Sequence, residues 1–302
     1  MGFFFYCIVY NLSMTKNTNY PIDMVIAYVD NQDLVWRNTY INYCKTHNLN
    51  QKIVDLLGSR FGGIRFIDYQ LKLVSKNMKW INMIYLLLSN KEQAPKNLPS
   101  NCKIVLHNEF IPAQYLPTFN STTIEMFLWN IKGLEEHFIY ANDDMLPTGE
   151  LQPSDFFEDD KIKIEWRFEQ FSYGMSMYAY QCHNNVTSVA KVLGIKDNEY
   201  SMIRPVHSFT PIIKSHAKDI FYLLSSYICP HIRAFRTEYQ YNQYIYPLYE
   251  YFKFGTLDSD IDFLYTELDK DFDLNHQICC INCEKKSELV NKFLREIEEV
   301  CI

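Results

Sequence analysis

Phe138-Ile139-Tyr140-Ala141-Asn142-Asp143-Asp144 is the stretch on which the reading of this chain turns. A short apolar run of strand character stops at an amide and two adjacent carboxylates. In open α/β sheets, ligands collect where the carboxyl ends of strands meet a crevice. Two acids at such a place suit a divalent cation or the uptake of a proton. In extended backbone, neighbouring side chains point to opposite faces, so only a turn would let both acids converge. Upstream, the polar loop Leu116-Pro117-Thr118-Phe119-Asn120-Ser121 feeds Thr122 to Ile131, where Ile124, Phe127, Leu128 and Ile131 share one face of an expected amphipathic helix.

Outward from this stretch, strands and helices alternate. Ile22 to Val29 reads as a buried strand, and Asp33 is placed to cap a helix running through Trp36 toward Lys45. Ile64, Ile67, Leu71 and Val74 have helical spacing. Ile81 to Leu88 and Lys103 to Leu106 are further strand candidates. Alternation of this kind predicts an α/β fold: a Rossmann-like, mostly parallel sheet with crossover helices. Lys161 to Trp166 alternates as a strand wetted on one side does. The second half reads as mainly helical, with candidates at 184–193, 211–226, 237–253 and 285–300.

Bulk properties narrow the class. At 302 residues, 48% apolar and 22% charged, the chain can bury a large core. A formal charge of −7 argues against a nucleic-acid partner, because no basic stripe is available to track phosphates. Met1 to Tyr10 is apolar but too short to span a bilayer and lacks the features of a signal peptide, which leaves a strand, a leader or a membrane-surface contact. Nine scattered cysteines fit reduced thiols in the cytoplasm. Cys280 and Cys283 have metal-binding spacing, near His276 and Cys279, but no second such pair accompanies them.

Several elements in fixed order resemble the second conserved region of the Stealth family of sugar-1-phosphate transferases. These are Pro117 to Ser121, Ile124-Glu125, Gly133-Leu134, Glu136 to Tyr140, Asn142-Asp143-Asp144 and Pro153 to Phe157. Ile22 to Val25 with Tyr28-Val29-Asp30, Asp33 and Trp36 is similar to the family's first region. His207 with Pro211 resembles the third, and Phe235-Arg236 with Asn242-Gln243-Tyr244 and Tyr249 resembles the fourth. Asn31 stands where the family commonly has glycine, and Phe66-Ile67-Asp68 departs from its usual acidic and basic pair.

The resemblance implies a single catalytic domain over residues 20–275, sheet-rich to 170 and helical after it. Residues 276–302 are expected to form a helical extension, and 1–19 have no assigned role. It implies a phosphotransferase of capsule or exopolysaccharide synthesis that passes hexose-1-phosphate from a nucleotide-sugar, a UDP-sugar, to a glycan hydroxyl. The acceptor would be lipid-linked, and the enzyme cytoplasmic, peripheral at the inner membrane face beside the capsule assembly machinery. Asp143, Asp144, His207 and Arg236 would be catalytic, with the Asp pair holding Mg2+ or Mn2+. Asp30, Asp33, Asn120, Ser121, Glu125, Asn142 and Arg233 would bind substrate. Helix capping explains Asp33, Asn120 and Ser121 equally well. A metal-dependent glycosyltransferase releasing UDP and a non-catalytic glycan-binding protein are the competing readings.

Overall fold

The computed structural model describes residues 20–49, 65–169, 176–268, 271–282 and 288–301. The Met1 to Tyr10 stretch, Ile64 and Cys283 lie outside them.

A five-stranded sheet forms the centre, in the order β10-β4-β1-β2-β3. Strands β1 (Ile22–Ala27), β2 (Ile84–Leu88), β3 (Cys102–Leu106) and β4 (His137–Asn142) are mutually parallel. The fifth, β10 (Thr210–Ile213), runs antiparallel to β4, with Thr210 opposite Tyr140. Pro211 cannot donate to a ladder, and a strand at the sheet margin tolerates that. The α/β, mostly parallel architecture expected from the alternation is therefore present, closed on one side by a strand from the chain's second half.

Alternating side chains of the sheet enter two apolar layers. Val25, Leu87, Phe138 and Tyr140 face one layer, built with helices at Met177–Val192, Lys214–Leu223 and Ile245–Lys253. Met24, Ile26, Leu86 and Ile139 face the other, built with Ile67, Leu71 and Val74 of the helix Ile67–Asn77. Side chains this completely buried each contribute roughly 1.5–3 kcal/mol, so either layer alone outweighs the loss of any one surface contact.

Four expectations are corrected. The helix drawn over 122–131 is interrupted: Ser121–Glu125 is helical, and a 3-10 turn follows at Leu128–Asn130. The periodicity is real, because Met126, Phe127 and Leu128 are all buried, but core contacts rather than helix continuity produce it. The strand expected over Lys161 to Trp166 divides into β7 (Lys161–Ile162), paired with β6 (Phe157–Glu158), and β8 (Trp166–Phe168), paired with β9 (Ile203–Pro205). Only Ile245–Lys253 of 237–253 is helical, since Gln240, Asn242 and Gln243 are buried in polar contacts before it. Last, the chain's end is not purely helical. Strand β12 (Ile278–Ile281) pairs with β5 (Met145–Leu146) on one side and with β11 (Phe263–Thr266) on the other, before the helix Glu288–Val300.

Candidate active site

Parallel strands bring the ends of β1, β2 and β4 to one margin of the sheet, and the antiparallel β10 begins there. Asn142 ends β4, Asp143 and Asp144 form a turn, and β5 leaves at Met145. Asp144 shares a cluster with His207 and Cys280 in which the potential ligating atoms lie within 4.8 Å of one another. Asp143 is outside that cluster but within electrostatic reach of Asp144, Cys280 and Tyr28.

Burial dominates the electrostatics of this margin. It raises the Asp144 carboxyl, against the pull of His207 and Arg236. Burial and then repulsion from Asp144 push Asp143 up to about 8, so it is largely protonated at neutral pH. The His207 imidazole is driven down by burial, with Asp144 partly restoring it. His207 is thus held neutral beside a carboxylate, the state a proton acceptor requires. Its Nδ1 meets the Tyr244 hydroxyl at 3.2 Å, and Tyr178 donates to the same hydroxyl at 3.1 Å. With Nδ1 engaged, Nε2 is the ring nitrogen left for chemistry. Asp144 Oδ1 is sealed from solvent and lacks a hydrogen-bond partner.

Arg236 arrives from another direction. Phe235 stacks on Phe119 at 5.5 Å and meets Tyr40 and Tyr43 edge-on, which clamps its loop to the loop before Asn120. The Arg236 guanidinium donates to Ser121 Oγ and is otherwise exposed, leaving donors free for a planar oxyanion. Its charge also reaches the buried Glu125, whose carboxyl burial raises and Arg236 and the Gln243 amide draw back.

Gln240 holds this arrangement. Its Oε1 accepts from Asn120, Thr122 and the Thr237 amide, while its Nε2 donates to the His231 and Phe235 carbonyls. Neither Gln240 nor Tyr244 was chosen as a site residue from the sequence; their positions within and beside the fourth-region motif were the available signal. Cys280 was read as an ordinary thiol, and nothing in its spacing reveals that β12 lies beside the acid turn.

The remaining candidates divide. Ser121 and Glu125 join Arg236. Asn120 is buried and caps the helix after it by accepting from the Thr122 amide at 3.1 Å. Asn142 accepts from Tyr140 at 2.9 Å through its side chain and from Gln70 through its carbonyl. Asp33 caps the first helix at the Trp36 amide and also accepts from Asn90. Asp30 pairs with Arg65 at 3.2 Å. Arg233 donates to the Ile232 carbonyl and uses its own carbonyl to hold Asn120 and Thr123. These residues build walls, and their side chains are not gathered with Asp144 and His207.

Among the described residues no helix is long and apolar enough to cross a membrane. The described cysteines are unbridged.

Residues 60–165 match the family model for Stealth protein conserved region 2. The chain is 38% identical over 159 residues to a capsular polysaccharide phosphotransferase of Neisseria meningitidis serogroup B, covering 50% of this chain and 42% of that protein. It is 32% identical over 219 residues to the capsular polysaccharide phosphotransferase LcbA of Aeromonas hydrophila, covering 68% and 58%. It is 30% identical over 188 residues to the exopolysaccharide phosphotransferase cps2G of Lactiplantibacillus plantarum, covering 61% and 52%. The chain thus spans about half the length of the curated relatives it matches. A galactosyltransferase solved with donor and acceptor sugar analogs overlaps 92% of this chain and 95% of its own, at 11% identity and a TM-score of 0.44, a likeness too loose to bear on the site. The chain thus carries conserved region 2 of the Stealth proteins and is similar, over that region and beyond it, to polysaccharide phosphotransferases.

Proposed function

We propose that this protein transfers hexose-1-phosphate from a UDP-sugar to a hydroxyl of a capsular or cell-wall glycan, releasing UMP. The observation that supports it best is the meeting of Asp144, His207 and Arg236 from three distant segments at one sheet margin, in a chain whose relatives are named as polysaccharide phosphotransferases. The acceptor oxygen forms a bond to the phosphorus nearest the donor sugar, and the bond from that phosphorus to the bridging oxygen breaks. UMP leaves with the electron pair. His207 Nε2 takes the hydroxyl proton, and the Asp144 carboxylate stabilises the imidazolium that forms. Arg236, braced on Ser121, binds the phosphate oxygens where charge accumulates. Asp143, largely protonated, holds the loop.

A Mg2+ or Mn2+ arriving on the donor diphosphate needs only one or two carboxylates from protein. Asp144, with a buried and unpartnered Oδ1, fits that requirement, and the cation would neutralise phosphate charge. The acceptor would be lipid-linked, which places the enzyme at the inner face of the membrane.

The test is to supply a panel of nucleotide-sugars with a glycan acceptor and identify the nucleotide released. UMP is expected. UDP would overturn phosphotransfer in favour of glycosyl transfer. Asp144→Asn, His207→Ala and Arg236→Ala should each lower turnover by at least about 100-fold with unchanged melting profiles.

A further inference from the structure

Cys280 has no part in the proposed transfer, yet strand pairing fixes it beside the acid turn. It lies opposite Met145 in the β5–β12 ladder, and the Ile281 amide donates to the Asp144 carbonyl at 2.9 Å. Its thiol is fully buried. A carboxylate, an imidazole and a sulfur within 4.8 Å of one another are the donor set of borderline metals, not of Mg2+. Two further observations point to a ligand. Asp144 Oδ1 is buried without a partner, and Tyr244 occupies Nδ1 of His207, the kind of outer contact that orients a metal-binding imidazole.

We propose that Asp144, His207 and Cys280 form a capture site for a thiophilic divalent cation of the Zn2+ class, and that its occupancy silences the enzyme. Bonds of about 2.0–2.3 Å require donors roughly 3–4 Å apart, so side-chain rotations of about 1 Å close the present spacing. The cation replaces the thiol proton, which passes to solvent, and takes the His207 lone pair. Binding itself does not depend on the transfer reaction; the silencing rests on the function proposed above.

Titration of the reduced, metal-free protein with Co2+ tests binding. The expected result is a thiolate-to-cobalt charge-transfer absorption that saturates at one equivalent. It should be lost in Cys280→Ser and kept in Cys279→Ser, whose sulfur faces the opposite side of β12. Tyr244→Phe should weaken Co2+ binding by roughly 10- to 100-fold. X-ray absorption of the zinc-loaded wild-type protein needs no variant and should show one sulfur at about 2.3 Å. No thiolate band in folded wild-type protein, or a band that survives Cys280→Ser, overturns the site. In the transfer assay at saturating Mg2+, Zn2+ should inhibit and a chelator should reverse it. Cobalt binding without any transfer activity would sink the functional reading and leave the site standing. Transfer activity without cobalt binding would do the reverse, and full activity with the metal bound would overturn the silencing.

Discussion

His107 opens the short helix after β3 with its ring inside the protein, 7% exposed, set edge-on to Phe110 at 6.2 Å, and with Nε2 lacking a partner. Burial therefore pushes its imidazole down from 6.5 to about 4. The folded state resists a proton that the unfolded chain accepts. Stability from this group is complete above about pH 6.5, declines as pH falls through the window, and is fully lost below about pH 4. At 1.36 kcal/mol per pH unit, the loss across the window is about 3 kcal/mol, most of it incurred by pH 4.5. His107→Phe keeps an aromatic ring beside Phe110 and removes the titration. Urea unfolding followed by tryptophan fluorescence at pH 7.5 and 4.5, on both proteins, isolates the effect because every other group titrates in both. The variant should gain about 2.5 kcal/mol relative to wild type on going to the lower pH. An equal free-energy gap between the two proteins at both pH values would refute the reasoning.

Three other outcomes are expected. The His216–Glu250 pair, 2.7 Å apart, works with the opposite sign: its hydrogen bond to Glu250 raises His216, so its stabilisation is present at low pH and lost as pH rises past the raised value. Glu250→Gln should flatten the unfolding free energy above pH 6.5 in the same urea assay. Gln240→Leu leaves the Thr237 amide and the His231 and Phe235 carbonyls unpaired. It should cost about 3 kcal/mol in unfolding free energy and lower kcat/KM further through the loosened Arg236, both read on protein confirmed folded by circular dichroism. Asp23, fully buried, accepts from Asn82 and from the Met83 and Glu135 amides. Asp23→Ala should cost about 3 kcal/mol in the same unfolding assay while leaving turnover per folded molecule unchanged.

What could be read in advance follows the range of the forces involved. Strand β4 and the turn at Asp143-Asp144 were legible because an apolar run ending in two acids is a local signal. The Asp33 cap was legible for the same reason. The interruption after Glu125 was not, since Met126 to Leu128 keep a helix-like spacing while the core dictates their backbone. Nor was the placement of Thr210–Ile213, which completes the sheet by pairing with β4 about 70 residues earlier in sequence. At the site, the motifs named His207 and Arg236, but the division of labour between Asp143 and Asp144 depends on the handedness of a turn. The spacing of Cys280 with Cys283 could not reveal its place beside Asp144 and His207, because its neighbours in space come from β5, far away in sequence.

That last pairing has a consequence for the order of assembly. Strand β5 follows directly from the acid turn, but its partner β12 leaves the ribosome about 7 to 27 seconds later, at synthesis rates of about 5–20 residues per second. Until then the far wall of the turn is missing, although β1 to β4 can already be paired. The nascent chain can carry a sheet while the margin that holds Asp144 is unfinished, so synthesis itself delays the completion of that margin.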